Sequence, residues 1–398
     1  VEANPGDAET RLRLAQFLAS TGDSEGAMEQ LDAALESESE NVAVIRAKAE
    51  LLAKQGNTEE LEAVLTQLEQ ASPESGLGAF GKGRLYKQQK KYPEAVAAFD
   101  EALAREPGSV LALTEVVNTE IAMGNPDAAI KRLDSVLEDN PEHPAAHDLL
   151  GVAYAAKKDF ARAEQEFTRQ LEINPNSSVV YMQLAGARSA QGNTAGAEAA
   201  LKKGLEVLPD DTRLTVALAT FYGQQGDMDK AAAVYTEALE NSPDEPRYVL
   251  SLAGIRERQQ QHEEAIKLYE GLLESKPDNL LATNNLAALL ADHRTDEASL
   301  NQAKALADKL VDVKQPALQD TVGWVYYRAG DYNKAAEVLS AVVEAAPDVP
   351  VFRYHLGMAY YKQGDTRAAK EILSGAVAEE LAYDGVEEAR RVYAEIGG

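Results

Sequence analysis

One stretch of the chain, residues 144–177, reads PAAHDLLGVAYAAKKDFARAEQEFTRQLEINPNS. Within it, Gly151 and Tyr154 fall on one face of a helix, and Ala163 and Phe167 lie four residues apart on a second helix. The small residues allow two helix backbones to approach closely, and the large residues fill the space beside them. This stretch therefore predicts two packed helices joined by a short turn.

Prolines recur along the chain with the period of this stretch. They stand 34 residues apart at Pro73, Pro107, Pro141, Pro175, Pro209, Pro243 and Pro277. Each is expected to close a second helix, because proline has no backbone N–H and cannot continue the hydrogen-bond ladder. A fixed period of this length indicates one small unit repeated many times. No long stretch alternates as strands do, so the fold class is all-α.

Turn-forming residues mark the middle of each period. Glycine followed by Asn or Asp stands there in seven periods, at Gly22, Gly56, Gly124, Gly192, Gly226, Gly330 and Gly364. Glycine supplies the left-handed backbone that ends one helix, and the Asn or Asp side chain accepts a hydrogen bond from the start of the next. Lys90 and Lys158 hold this place in two other periods. An alanine follows five residues later, with Leu61 as the exception.

These residues resemble the tetratricopeptide repeat family, whose pattern is Leu-Gly-x2-Tyr, then Ala-x3-Phe, then Pro. The matching positions in the quoted stretch are Leu150, Gly151, Tyr154, Ala163, Phe167 and Pro175. The resemblance implies a right-handed α-solenoid superhelix of helix-turn-helix units. Eleven units are expected over residues 8–383, beginning near Ala8, Val42, Gly76, Val110, Pro144, Ser178, Thr212, Pro246, Leu280, Pro316 and Pro350.

Some units depart from the pattern. Glu120 and Arg188 replace the tyrosine, and Ser39 and Gln315 replace the proline. The ninth unit, about residues 280–315, carries about four extra residues in its central turn and has an exit shorter by two. Either a tolerated loop insertion or a hinge that changes the local curvature explains this irregularity.

The two ends of the chain also follow the repeat pattern. Residues 1–7 copy the tail of a unit, so we expect the chain to have been cut from a longer array. Residues 384–398 carry a short amphipathic stripe, which predicts a helix that caps the last unit.

Composition limits the classes of partner. The chain has 66 acidic and 39 basic residues and a formal net charge of −27. This balance argues against nucleic acid and against anionic lipid, both of which require a basic surface. The acidic surface either keeps a long array in solution or attracts a basic partner. No apolar run approaches the roughly 20 residues needed for direct membrane insertion.

The sequence shows no arrangement typical of catalysis. There is no cysteine, no glycine-rich phosphate loop and no calcium loop. His143 and His147 are the only histidine pair at metal-ligand spacing, but Pro144 indicates that the first precedes the helix. We therefore expect no enzyme activity, no cofactor and no metal.

The resemblance implies that the first helix of each unit lines a concave groove with its positions 2, 5, 9, 12 and 13. In early units these positions hold Arg46, Glu50, Phe80, Arg84 and Lys87, and in later ones Thr220, Gly223, Arg258 and Asn284. The last two full units concentrate aromatic residues and cations, which suit peptide recognition. With Asn284, these form the predicted partner site: Trp324, Tyr327, Arg328, Tyr354, Met358, Tyr361 and Lys362. The alternative is that the aromatic residues pack against the capping helix.

The leading hypothesis is a non-catalytic scaffold that binds a protein or peptide partner in the groove. The C-terminal units, including Asp320 to Tyr327, are similar to long bacterial arrays of envelope and exopolysaccharide secretion systems, which favours the periplasm or cell envelope over the cytoplasm. One alternative is a structural spacer or self-associating array. Another is a repeat region that recruits substrate for an enzyme whose catalytic domain lies outside this sequence.

Overall fold

The computed structural model describes residues 7–398, so the expectation for residues 1–6 lies outside the described part. The chain divides into two compact units, one ending at Pro209 and the other beginning at Asp210. Within the described residues there are 23 α-helices and no strand, which confirms the prediction of an all-α solenoid of paired helices.

The first unit contains twelve helices in six consecutive pairs. They are α1 (Ala8–Ser20), α2 (Ser24–Ser37), α3 (Val42–Gln55), α4 (Thr58–Ala71), α5 (Leu77–Gln88), α6 (Tyr92–Arg105), α7 (Val110–Ala122), α8 (Pro126–Asp139), α9 (Ala146–Ala156), α10 (Phe160–Ile173), α11 (Ser178–Ala190) and α12 (Thr194–Val207). Each helix packs against its partner in the pair, and α2, α4, α6, α8 and α10 also pack against the first helix of the next pair.

The second unit contains five pairs and one final helix. They are α13 (Thr212–Gln224), α14 (Met228–Asn241), α15 (Pro246–Arg258), α16 (His262–Ser275), α17 (Leu280–His293), α18 (Glu297–Asp308), α19 (Pro316–Arg328), α20 (Tyr332–Ala345), α21 (Pro350–Gln363), α22 (Thr366–Leu373) and α23 (Val386–Glu395). The last helix, α23, packs against both α21 and α22.

The turns form as the sequence predicts. All seven mid-period glycines have φ between 73° and 91°, in the left-handed region. In the turn after α3, Gly56 ends the helix, and the Asn57 side chain accepts a hydrogen bond from the Glu60 amide at the start of α4. Lys90 and Lys158 adopt φ of 60° and 63° at the equivalent place. Gln260 also has a φ of 60°, although the turn pattern does not identify it.

A glycine on the first helix makes room for a large side chain on the second. A Cβ atom added to Gly151 would lie 2.5 Å from Cε1 of Phe167, which is buried. Gly83 faces Phe99 in the same way. The close approach of α9 to α10, and of α5 to α6, therefore requires the absence of a side chain at this position.

The residues that replace the family tyrosine form ion pairs in its place. Tyr86 donates a hydrogen bond from its hydroxyl to Glu62 of the preceding helix at 2.6 Å. Arg188, which stands where the tyrosine is expected, donates from Nε to Glu164 of its own preceding helix at 2.8 Å. The charged substitute thus keeps the link to the neighbouring pair.

Glu120, the other substitute, is buried and is held by Arg132 from α8. The guanidinium donates from Nη2 to Oε1 of Glu120 at 2.8 Å and from Nη1 to Oδ1 of Asp100 on α6 at 2.5 Å. Arg132 therefore connects two successive helix pairs, and its charge compensates a carboxylate that is costly to bury alone.

The extra residues of the ninth pair become helix. The buried residues Ala303 and Ala307 of α18, and Leu310 just after it, correspond, with four residues inserted, to Ala265, Tyr269 and Leu272 of α16. Only residues 294–296 separate α17 from α18, so three inserted residues extend the start of α18 and one extends the end of α17. The segment that follows α18 is hydrogen-bonded to α19: the side-chain amide of Gln319 donates to the Leu310 carbonyl at 2.7 Å.

Candidate partner-binding site

First helices of several successive pairs pack on one another within each unit. In the first unit α1 packs on α3, α5 on α7, α7 on α9 and α9 on α11, and in the second unit α17 packs on α19 and α19 on α21. The first helices carry the residues expected to face the groove, and together they are named the groove layer of each unit.

A cavity of about 580 Å³ opens in this layer of the first unit, between α3 and α5. Its apolar wall is formed by leucines of α4 and α5 together with Phe80: Leu61, Leu65, Leu68, Leu77 and Leu85. Leu61 is the residue that replaces the recurring alanine. The first helix α5 lies close to α4 because Gly81 faces Leu65 without a side chain of its own.

The rim of the cavity is charged and includes four of the five groove positions of the early units, while the fifth, Phe80, lies in the apolar wall. Arg46 and Glu50 lie on α3, and Arg84 and Lys87 on α5. Arg46 Nε is 3.6 Å from Oε1 of Glu50, and both side chains are exposed. Lys87 Nζ is 2.6 Å from a carboxylate oxygen of Glu115 on α7.

Apolar side chains continue from the cavity along the same layer. Leu77, at the start of α5, is partly exposed, and Leu111, at the equivalent place on α7, is 70% exposed. Val179 holds this place on α11 and is also exposed. An exposed apolar row beside an apolar cavity is a feature of protein-binding surfaces.

The second unit has a smaller cavity of about 480 Å³, formed chiefly by α13 and α15. Three groove positions named in the sequence line it, namely Thr220, Gly223 and Arg258. Its lining has a single leucine, Leu250, whereas five leucines and Phe80 line the cavity between α3 and α5, so it offers a partner less apolar surface.

Trp324, in the predicted C-terminal site, is only 7% exposed. Its indole N–H donates to Asp292 Oδ1 at 2.7 Å, and its ring stacks on Tyr327 at 4.7 Å and on His355 at 4.1 Å between centroids. The guanidinium of Arg328 lies 5.9 Å from the ring centroid. These contacts occupy both the polar atom and the ring faces of the tryptophan.

The final helix α23 covers the adjoining aromatic residues. Tyr354 and Met358 are buried in an apolar cluster with residues of α23, and Met358 is 1% exposed. The Tyr354 hydroxyl donates to Glu388 at 2.7 Å, and the Tyr361 hydroxyl donates to Glu395 at 2.7 Å. The structure thus brings the predicted aromatic residues together, as a cluster packed beneath the end of the chain.

The titration of the tyrosines reflects this packing. Burial, followed by the nearby Glu388 carboxylate, raises the pKa of Tyr327 to about 12. Burial and the hydrogen bond to Glu388 also raise the pKa of Tyr354. Both phenols are therefore neutral hydrogen-bond donors at physiological pH.

The remaining predicted residues lie apart from the buried cluster. Lys362 is exposed at the end of α21, with its ammonium 5.9 Å from the ring centroid of Tyr361. Asn284 lies on α17, where its amide donates to Asn285 Oδ1 at 3.2 Å. The Asn284 Oδ1 atom is buried and has no hydrogen-bond partner among residues 7–398.

The two histidines at metal-ligand spacing make separate contacts. His147 Nδ1 lies 2.6 Å from a Glu166 carboxylate oxygen, and its Nε2 lies 3.1 Å from the Pro141 carbonyl oxygen. His143 Nδ1 accepts a hydrogen bond from the Ala145 amide at 3.3 Å.

Models of the family described as "Tetratricopeptide repeat" match residues 46–110, 86–152, 154–220, 217–280 and 326–395. Together these segments cover more than half of the chain. The chain belongs to the tetratricopeptide repeat family. Members of this family are protein-interaction scaffolds and are typically non-catalytic, so the chain is a repeat scaffold for protein–protein interaction in this general sense.

Several solved structures are similar to the chain at low identity. A repeat protein from Parabacteroides merdae is 19% identical over 62% of this chain and 97% of that chain, with a TM-score of 0.44. Yeast Tom70 is 13% identical over 98% and 95%, with a TM-score of 0.39. The structure of Naa15/Naa10 bound to HypK-THB is 17% identical over 98% of this chain and 66% of that one, with a TM-score of 0.39. This chain thus spans just under two thirds of the last relative.

No curated protein matches the chain. None of the helices within residues 7–398 has both the length and the apolar character required to span a bilayer. The family assignment therefore rests on the repeat models.

Proposed function

We propose that this chain is a non-catalytic scaffold whose first unit binds a segment of a protein partner in the cavity between α3 and α5. The observation that carries the proposal is an open cavity of about 580 Å³ with an apolar floor. Its volume lies within the roughly 300–1,000 Å³ typical of ligand sites, and its lining is mainly apolar with a few polar groups at the rim.

The burial of the C-terminal cluster favours this cavity over the site predicted from the sequence. Trp324, Tyr354 and Met358 have little surface left for a partner while α23 is in place. Lys362 remains exposed, so it is able to contact a partner without movement of α23.

The wider setting we propose is a bacterial multiprotein assembly of the cell envelope, as the similarity of the C-terminal repeats to secretion-system arrays suggests. Self-association is the rival function. Light scattering after size-exclusion chromatography separates the two, because a stable oligomer that covers the cavity favours assembly of copies over capture of a partner.

The direct test fills the cavity. Ala53 is an exposed residue of α3 that lines it, so Ala53→Trp should occupy the space without disturbing the core. A random peptide library displayed on phage is selected on the original protein and then screened on the variant. Ala199→Trp, at an exposed position of α12 outside the cavity lining, is the matched control.

The expected result is a set of peptides that bind the original protein and Ala199→Trp but lose binding to Ala53→Trp. Circular dichroism should show equal helicity for all three proteins. Peptides that bind all three equally, or no selected peptides at all, would contradict the proposed site.

A further inference from the structure

The rim of the cavity has more positive than negative side chains. Arg46, Arg84 and Lys87 stand against Glu50 and Glu115. This is the reverse of the whole chain, in which acidic residues outnumber basic ones and the net charge is −27. A local excess of cations at an apolar opening therefore needs a separate explanation from the general acidity of the surface.

Two of the three cations are already paired. The Lys87 ammonium contacts Glu115 at 2.6 Å, and Arg46 lies near Glu50 at 3.6 Å. Arg84 is exposed and makes no ion pair or hydrogen bond from its side chain within residues 7–398. Its guanidinium is thus the cation at the rim that is available to an incoming carboxylate, which it can bind through two parallel hydrogen bonds.

Arg84 lies next to Phe80, which forms part of the apolar floor of the cavity. Arg84 follows Phe80 by four residues on α5, so the two side chains are neighbours on one helix face, with Cβ atoms about 6 Å apart. An extended peptide advances about 3.3 Å per residue. A side chain packed on Phe80 therefore places the carboxylate of a residue one or two positions away within reach of Arg84.

We propose that the occupant of this cavity is a peptide segment with a bulky apolar anchor and an Asp or Glu within two residues of it, and that Arg84 recognises the carboxylate. This inference rests on the proposed function, since it names the partner chemistry of the same cavity. Glu50 and Glu115 also line the cavity, but each lies beside a rim cation, Arg46 or Lys87. Salt screens the net negative charge of the rest of the chain, because the Debye length is about 8 Å at physiological ionic strength.

The experiment uses the peptides selected on the original protein. Their sequences should combine a Leu, Ile, Phe or Trp with a nearby Asp or Glu. A fluorescein-labelled peptide from this set is titrated with the original protein and with Arg84→Glu, and binding is followed by anisotropy. We expect binding to weaken about tenfold with Arg84→Glu.

Arg367→Glu provides the matched control. Arg367 is exposed on α22 in the other unit, so the substitution makes the same change in net charge far from the cavity residues in sequence. It should leave the affinity unchanged. Raising the NaCl concentration should weaken binding to the original protein and have less effect on Arg84→Glu.

A charge exchange completes the test. Replacing the peptide's Asp or Glu with Lys should abolish binding to the original protein and restore binding to Arg84→Glu. Some peptides could lose binding to Ala53→Trp and yet lack acidic residues or bind Arg84→Glu as well as the original protein. Such peptides would overturn this inference but not the proposed function. Peptides that bind Ala53→Trp as well as the original protein would overturn both this inference and the proposed function.

Discussion

Adding a single methyl group at Gly151 tests how closely the paired helices approach. The Cβ of an alanine there would lie 2.5 Å from Cε1, 2.6 Å from Cδ1 and 2.9 Å from Cζ of Phe167. The ring is 2% exposed, so it has no open space to move into. Gly151→Ala must therefore push α9 away from α10 or force the ring out of its rotamer.

Two opposing effects determine how much Gly151→Ala changes the free energy of unfolding. Overpacking of a buried site costs typically 1–3 kcal/mol, and three close ring atoms place this site in the upper part of that range. Replacing glycine by alanine inside a helix stabilises the helix by about 1 kcal/mol. We expect a net loss of about 1–2 kcal/mol in the free energy of unfolding.

Gly186 on α11 is the matched control, because a Cβ added there has no atom within 4 Å. Gly186→Ala should stabilise the protein by about 0.5–1 kcal/mol. Urea unfolding followed by circular dichroism measures both variants, and hydrogen exchange at α9 and α10 localises the effect. If Gly151→Ala were as stable as Gly186→Ala, the close approach of these helices would be refuted. In a Phe167→Ala background, Gly151→Ala should become stabilising.

Three further predictions concern buried polar and aromatic groups. Arg132→Met should cost about 2 kcal/mol in urea unfolding, because it leaves the buried Glu120 carboxylate without its partner, and Glu120→Gln should recover part of this loss. Burial, and then the stacked His262 ring at 3.6 Å, lowers the pKa of His293 from its ordinary 6.5. Histidine NMR titration should show this lowered pKa, and the contribution of His293 to stability should be lost as the pH falls below 6.5, since this group then binds more protons in the unfolded chain than in the folded one. His262→Asn should raise the pKa of His293 without reaching 6.5, and a value above 6.5 in the unmodified protein would contradict the burial. Trp324, the sole tryptophan, should be quenched several-fold less by acrylamide than in the urea-unfolded chain, and equal quenching would contradict its packing.

The helices and turns are predictable because their causes are local. A glycine before Asn or Asp determines where one helix ends and the next begins, and the structure follows this at every such turn. Gln260 adopts the same backbone with φ of 60°, although glutamine has no turn preference that would identify it. Only its place in the period indicates the turn, so the repeat is a stronger signal there than the residue type.

The partners of Glu120 and Arg188 were not predictable from the pattern, because each lies on another helix: Arg132 on α8, the second helix of Glu120's own pair, and Glu164 on α10 of the pair before Arg188. Arg188 reaches Glu164, 24 residues earlier, and Tyr86 reaches Glu62 over the same separation. The family tyrosine and the arginine that replaces it thus both bond to a glutamate at the same position of the preceding helix. The sequence shows the departure from the pattern, but only the packing of successive pairs shows what compensates it.

The candidate site was predictable in part. Family positions placed Phe80 and Arg84 on the groove layer, and both line the cavity. The space between α3 and α5 could not be foreseen, since it depends on the distance between two helices and not on either helix alone. At the C-terminus, helical spacing placed Trp324 and Tyr354 together, but the same spacing suits packing and binding equally, and only the structure shows that residues of α23 pack against them.

Three turns of the array differ from the others in the residue that bears the left-handed backbone. Lys90, Lys158 and Gln260 carry a Cβ atom where the seven Gly-Asn and Gly-Asp turns have glycine, at a cost of about 1–2 kcal/mol each. In a linear array, opening begins wherever a link between neighbours is weakest. The order in which the helix pairs come apart is thus biased by three surface side chains that touch neither the core nor the cavity.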